Sequence, residues 1–182
     1  PEVLASNELS RALSQYAKGD VRYVPTPQES LEEMEKLSID QVVDVYSNQL
    51  GAVIGEVAIV GDFEMEAALK ALIDILNDWH TDTEYRDIVR EARTELSGYT
   101  KNIVTPDKAN AVFLAGLSFP MVDSDPDSVA LELGNFILGG GALSSRLGNR
   151  IRQQEGLSYG VTSSIAIPSR GSDARFVINA IT

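Results

Sequence analysis

Hydrophobic positions in the first half of the chain recur mainly at helical spacing. Residues 7–17 predict a helix that stops before Lys18-Gly19-Asp20, and a second runs from about Ser38 through Gln49. Pro25 and Pro27 hold the connector between them extended. Glu56-Val57-Ala58-Ile59-Val60 is a short, β-branched apolar run closed by Gly61-Asp62, which predicts a buried strand turning straight into a helix. In that helix Leu69, Leu72, Ile73 and Leu76 share one face, Asp62 can cap, and Glu64 and Glu66 suit the positive N-terminal end of the dipole. A further helix is predicted over 84–97.

The second half changes period. Strands are predicted at 99–104 and 110–119, the latter placing Phe113, Ala115, Leu117 and Phe119 on one face. Asp125 as N-cap and Pro126 in the first turn open a helix. Val129, Leu133, Phe136 and Ile137 carry its apolar face until Gly139-Gly140-Gly141 stops it. A short helix then runs from about Ser144 to Gln154. Beyond Glu155-Gly156, Leu157, Tyr159, Val161, Ser163, Ile165 and Ile167 alternate onto one face. Pro168 to Asp173 form a hairpin turn, and Arg175 to Ile181 form a last strand. The start at Pro rather than Met suggests a piece of something longer.

Composition narrows the function. The 182 residues are 43% hydrophobic and 23% charged, which excludes a natively disordered chain. Net charge is -12, opposite in sign to the footprint that nucleic acid or an anionic membrane requires. No apolar run is long enough to insert into a membrane, and the N-terminus lacks the basic and apolar regions of a signal peptide. The charge is uneven: residues 1–95 hold 20 acidic and 8 basic side chains, and 96–182 hold 7 of each. This shift predicts two parts meeting near Ser97-Gly98, with 1–96 mostly helical and 97–182 made of strands plus two helices. Glu29, Glu32, Glu33 and Glu35 read most simply as a solvated helix face.

The candidate chemistry is sparse. There is no cysteine, and His80 is the one histidine, so no zinc set of His and Cys ligands and no catalytic triad can be assembled. His80 is expected on the solvent side near a helix end. The triple glycine lacks the Gly-Lys-Ser/Thr of a phosphate loop, which leaves helix termination or a loop that touches a ligand. Ser144 is expected to cap the next helix. Arg146, Arg150 and Arg152 fall within seven residues of a chain that is otherwise acidic. They fit a helix face paired with carboxylates, with Tyr159 as a core residue, or a binding cluster.

The stretch Phe136-Ile137-Leu138-Gly139-Gly140-Gly141-Ala142-Leu143-Ser144-Ser145-Arg146-Leu147, followed by Arg152 and Glu155-Gly156-Leu157-Ser158-Tyr159, resembles the non-catalytic half of the insulinase/pitrilysin zinc metallopeptidases. That family includes the mitochondrial processing peptidase. Val57-Ala58-Ile59-Val60-Gly61-Asp62-Phe63 is similar to a strand and turn in a homologous domain of the family, so the resemblance covers nearly the whole chain.

The resemblance implies an α+β fold, a mostly antiparallel sheet with helices packed on one face, with 1–96 the later part of one metallohydrolase-like domain and 97–182 the earlier part of the next. It implies that Arg152 and Tyr159 contact the substrate backbone near the scissile bond, with Gly139, Gly140 and Gly141 forming a substrate-recognition loop. A phenol or guanidinium at the carbonyl oxygen would stabilise the charge that builds there. The family's zinc motif H-x-x-E-H is missing from the sequence. This chain is therefore expected to hold no catalytic residue and no metal and to be inactive alone, with zinc bound by a partner half in the same parent chain or a separate subunit. The expected function is the substrate-binding part of a peptidase acting on unfolded peptides in a closed chamber. The alternative is an inactive member serving as a structural or assembly subunit. A bacterial periplasmic location fits the family.

Overall fold

The computed structural model describes residues 1–182, apart from the side chain of Ala142. The chain packs as two compact units, Pro1–Ser30 with Ile88–Thr182, and Leu31–Asp87. The step in charge near residue 97 lies inside the first of these. Most of the net charge sits in the second, where 31–87 carry 14 acidic and 3 basic residues.

Unit Leu31–Asp87 contains helix α3 (Ile39–Gln49) and helix α4 (Met65–Leu76). Ser38 caps α3 in a reciprocal box: its side chain accepts from the Gln41 N–H, and the Gln41 side chain accepts from the Ser38 N–H. Tyr46 of α3 stacks on Trp79 with ring centroids 5.7 Å apart, and the Ala52 N–H donates to the Trp79 carbonyl at 2.7 Å. Helix α4 starts at Met65 with Glu64 at the cap position, so Asp62 does not cap it. The strand expected at 56–60 does not form. Among the described residues no neighbouring strand accepts its backbone bonds, and Val57 and Val60 remain exposed.

The other unit is built on one antiparallel sheet of order β1-β3-β2, with β1 (Val112–Pro120), β2 (Gly160–Ala166) and β3 (Asp173–Ile181). Register runs from Val112 opposite Ile181 to Pro120 opposite Asp173, and from Gly160 opposite Ile181 to Ala166 opposite Arg175. Directly opposed residues share a face, so Ala115, Ile178 and Ser163 look one way and Gly116, Val177 and Ser164 the other. Helix α5 (Ser128–Asn135) and the π-helical Phe136–Gly140 pack on the first face, where Ser163 Oγ donates to Asn135 Oδ1 at 2.7 Å. Among the described residues the buried apolar side chains Val161 and Ala174 sit in this layer. The chain is thus α+β with helices on an antiparallel sheet. Helix α1 (Glu2–Ser14) adds contact on the second face: Leu9 closes on Gly116, and Arg175 donates to Ser14 Oγ at 2.9 Å.

Four further expectations are corrected. Helix α1 spans Glu2–Ser14 rather than 7–17, because Gln15 turns left-handed (φ 44°) and its N–H closes on the Arg11 carbonyl. Pro27 does not extend the connector but opens helix α2 (Pro27–Met34), where a missing N–H costs nothing. Residues 84–97 are not helical, because tertiary partners take their backbone groups. Arg22 donates to the Val89 carbonyl, the Ser172 N–H to the Arg90 carbonyl, and the Tyr16 hydroxyl accepts from the Glu91 N–H. The strand expected at 99–104 is likewise absent; there Tyr99 and Lys101 reach Glu8 of α1 at 3.3 and 2.7 Å.

Glu29 anchors the start of α2. The Lys18 ammonium at 2.8 Å, then the Thr26 N–H and the Tyr23 hydroxyl, hold its carboxyl down from 4.5 to about 2. A folded-state value below the unfolded one gives stability that is complete above pH 4.5 and lost as pH falls through about 2. Glu29→Gln is therefore expected to lower the urea midpoint at pH 7, and this difference from the native chain should shrink steadily below pH 4.5 and disappear as pH falls through about 2.

Candidate functional site

The glycine run, the arginine helix and the entrance to β2 converge at one edge of the sheet layer. Asp125 caps the turn before α5, taking the Asp127 N–H at 3.0 Å; α5 itself begins at Ser128. The helix continues into the π-helical segment, whose wider turn ends with the Gly141 N–H on the Phe136 carbonyl at 2.8 Å. A tight turn follows. Ser144 belongs to this turn and does not cap the next helix. Ser145 does so, buried to 1% exposure and accepting from the Gly148 N–H at 3.1 Å.

From Ser145 the chain enters the helix that ends in the π-helical Gly148–Gln154. Arg150 pairs with Glu155 at 2.7 Å, the carboxylate partner expected of a solvated helix face. Arg146 is exposed. Arg152 behaves differently. Gly156 takes φ 63°, a conformation open to glycine, and the Leu157 N–H returns to the Ile151 carbonyl, so the chain doubles back. Buried Ser158 then pins the entrance to β2, its Oγ lying 2.8 Å from the Gly160 carbonyl and 2.6 Å from that of Ile181.

Tyr159 is consequently held between two anchored neighbours with its ring in solvent. It is 83% exposed, so the core role open to it in the sequence is excluded, and the Arg152 guanidinium lies over its ring at 4.4 Å from the centroid. The pair presents a phenol hydroxyl and guanidinium N–H donors side by side, an arrangement able to donate to a carbonyl oxygen.

Internal packing accounts for each glycine. A methyl on Gly139 would overlap Ser163 N and Oγ and lie 2.9 Å from Leu147 Cδ1. On Gly140 it would meet Asn135 Nδ2 at 3.0 Å, and on Gly141 the Phe136 carbonyl at 2.9 Å. Gly139 is buried, Gly141 half-buried and Gly140 exposed. Ser145, Asn135 and Ser163 were not singled out by the sequence pattern. The one available signal was a serine at position 163 on an otherwise apolar face.

The residues do not fit a zinc ion. His80 is exposed with Nδ1 beside the Asp78 carbonyl at 3.2 Å, and no group of three His, Cys, Asp or Glu among the described residues could hold a metal. Among the described residues no helix is long and apolar enough to cross a membrane.

Residues 36–182 match the family model described as the peptidase M16 inactive domain. The chain belongs to the peptidase M16 family. Within it, the chain is similar to the non-peptidase homolog YmxG of Helicobacter pylori, 29% identical over 135 residues that cover 71% of this chain and 29% of that protein. Its fold is that of the crystal structure of a peptidase M16 inactive domain from Pseudomonas fluorescens. That likeness has a TM-score of 0.73 at 24% identity, covering 98% of this chain and 41% of the other. The chain thus spans well under half the length of both, and its place in the family is with the non-catalytic domains.

The cap gives a direct test of this local account. Ser145→Ala removes the acceptor of the Gly148 N–H and is expected to lower the free energy of urea unfolding by about 1 kcal/mol, the usual worth of an N-cap. An unchanged unfolding curve would contradict it.

Proposed function

We infer that this chain is the substrate-binding, non-catalytic part of a zinc-dependent M16 peptidase acting on unfolded peptides in a closed chamber. On this reading 1–96 is the later part of one domain and 97–182 the earlier part of the next. The half bearing H-x-x-E-H, and with it the zinc, lies outside these residues, in the parent chain or a separate subunit. The carrying observation is the exposed Tyr159 ring under Arg152. An aromatic side chain left in solvent, with its backbone pinned on both sides, suits contact with another molecule better than it suits the core.

Arg152 and Tyr159 donate to the substrate backbone, and the exposed backbone at Gly140 with Gly141 offers a side-chain-free surface beside it. Bare apolar surface supports a chain that works against other polypeptide. Phe113 and Leu117, on the α5 face of the sheet, are 57% and 49% exposed.

The second reading, an inactive structural or assembly subunit, is favoured by one specific observation, the similarity to a relative described as a non-peptidase homolog. The two readings separate on one pair of variants. With the complementary half present, Tyr159→Phe and Arg152→Ala are each expected to lower turnover of an unfolded peptide about 100–1000-fold, the loss typical of a donor to a developing oxyanion, with unfolding curves unchanged. Turnover equal to that of the native protein across a peptide panel would remove the substrate-contact role and leave the structural reading.

A further inference from the structure

The three pieces that build the Arg152–Tyr159 pair meet at one point, the place a Cβ on Gly139 would take. The π-helical segment carries this glycine. Strand β2, which Tyr159 immediately precedes, brings up Ser163 so closely that a Cβ on Gly139 would overlap its backbone nitrogen. The arginine helix brings up Leu147, whose Cδ1 would lie 2.9 Å from the same Cβ. Leu147 and Arg152 belong to one helix, and Ser163 lies on the strand whose first residue, Gly160, directly follows Tyr159. Gly139 is itself buried, so it offers a ligand little surface of its own.

We propose that Gly139 is a positioning residue for the Arg152–Tyr159 pair: the absence of a side chain there lets the arginine helix and strand β2 converge far enough for the guanidinium to cover the phenol ring. This deepens the substrate-contact reading and rests on it for the role of the pair, but not for the geometry. Packing of this kind has no slack. A methyl at 139 cannot be accommodated by rotating a flexible side chain, because the atom it meets is backbone. The strand or the helix must move outward, and the two members of the pair then separate. Asn135 holds the same junction from the α5 side through its bond to Ser163 Oγ.

The test reads the geometry of the pair directly, without a substrate. With 3-fluorotyrosine placed at position 159 of the full chain, the ¹⁹F resonance of Arg152→Ala marks the uncovered ring. Gly139→Ala is expected to move the resonance most of the way to that position. Leu147→Ala, which withdraws the helix side of the contact and leaves the backbone room to fold, should move it in the same direction. Gly134→Ala, where a methyl meets nothing within 4 Å, should leave it unmoved.

A role confined to stability would lower the melting temperature of Gly139→Ala or Leu147→Ala while the resonance stayed in place. That result in a folded variant overturns the proposal, and if Gly139→Ala fails to fold, Leu147→Ala decides. Since no peptide enters the experiment, failure of the positioning role is distinguishable from failure of the peptide-binding reading.

Discussion

Strand β3 is the constraint on which the sheet-bearing unit depends. It alone is hydrogen-bonded on both sides, to β1 along its whole length and to β2 over Gly160–Ala166. Its register therefore fixes where Ser163 stands relative to α5. A slip of one residue would turn Ser163 away from Asn135 and carry Val161 and Ala174 out of the layer where they are buried. The site is a consequence of that register. Tyr159 enters beside Gly160, which faces Ile181, and Ser158 ties the same corner to the Ile181 carbonyl.

The arrangement of Arg152 over Tyr159 also follows from chain reversal rather than from helix geometry alone. Seven positions separate the two residues, and a continuous helix or strand would not bring guanidinium and ring to this overlap. Gly156 supplies the left-handed turn, and the π-helical run Gly148–Gln154 sets the direction in which the helix delivers Arg152. Arg150 spends its charge on Glu155. Two arginines only two positions apart thus have different fates, one in a surface ion pair worth little and one stacked on an exposed aromatic ring.

Much of this was legible in the sequence wherever local pattern and tertiary contact agree. Alternation through Val161, Ser163 and Ile165 marks the buried face of β2, helical spacing marks the helix ahead of the glycine run, and the glycine–arginine–tyrosine stretch points to the family. The failures share a cause. Residues 84–97 have a helical pattern, but Arg22, Ser172 and Tyr16 claim backbone groups there, and none of these is near in sequence. Residues 56–60 look like a strand, yet a strand requires a partner. Ser144 and Ser145 are adjacent and chemically identical, and only the tight turn ahead of them decides which one caps. The packing at Gly139 was hidden for the same reason, because Ser163 is 24 residues away and meets it only through the sheet.

The central claim is that these residues supply substrate contacts to a peptidase whose metal lies elsewhere. The most direct measurement is zinc content and peptide cleavage of this chain purified alone and again after its complementary half is added. The account predicts neither zinc nor cleavage for the chain alone, and both once the half bearing H-x-x-E-H is present. Stoichiometric zinc with cleavage by the chain alone would contradict it outright, and failure to cleave with the complementary half bound would turn the account toward an assembly subunit.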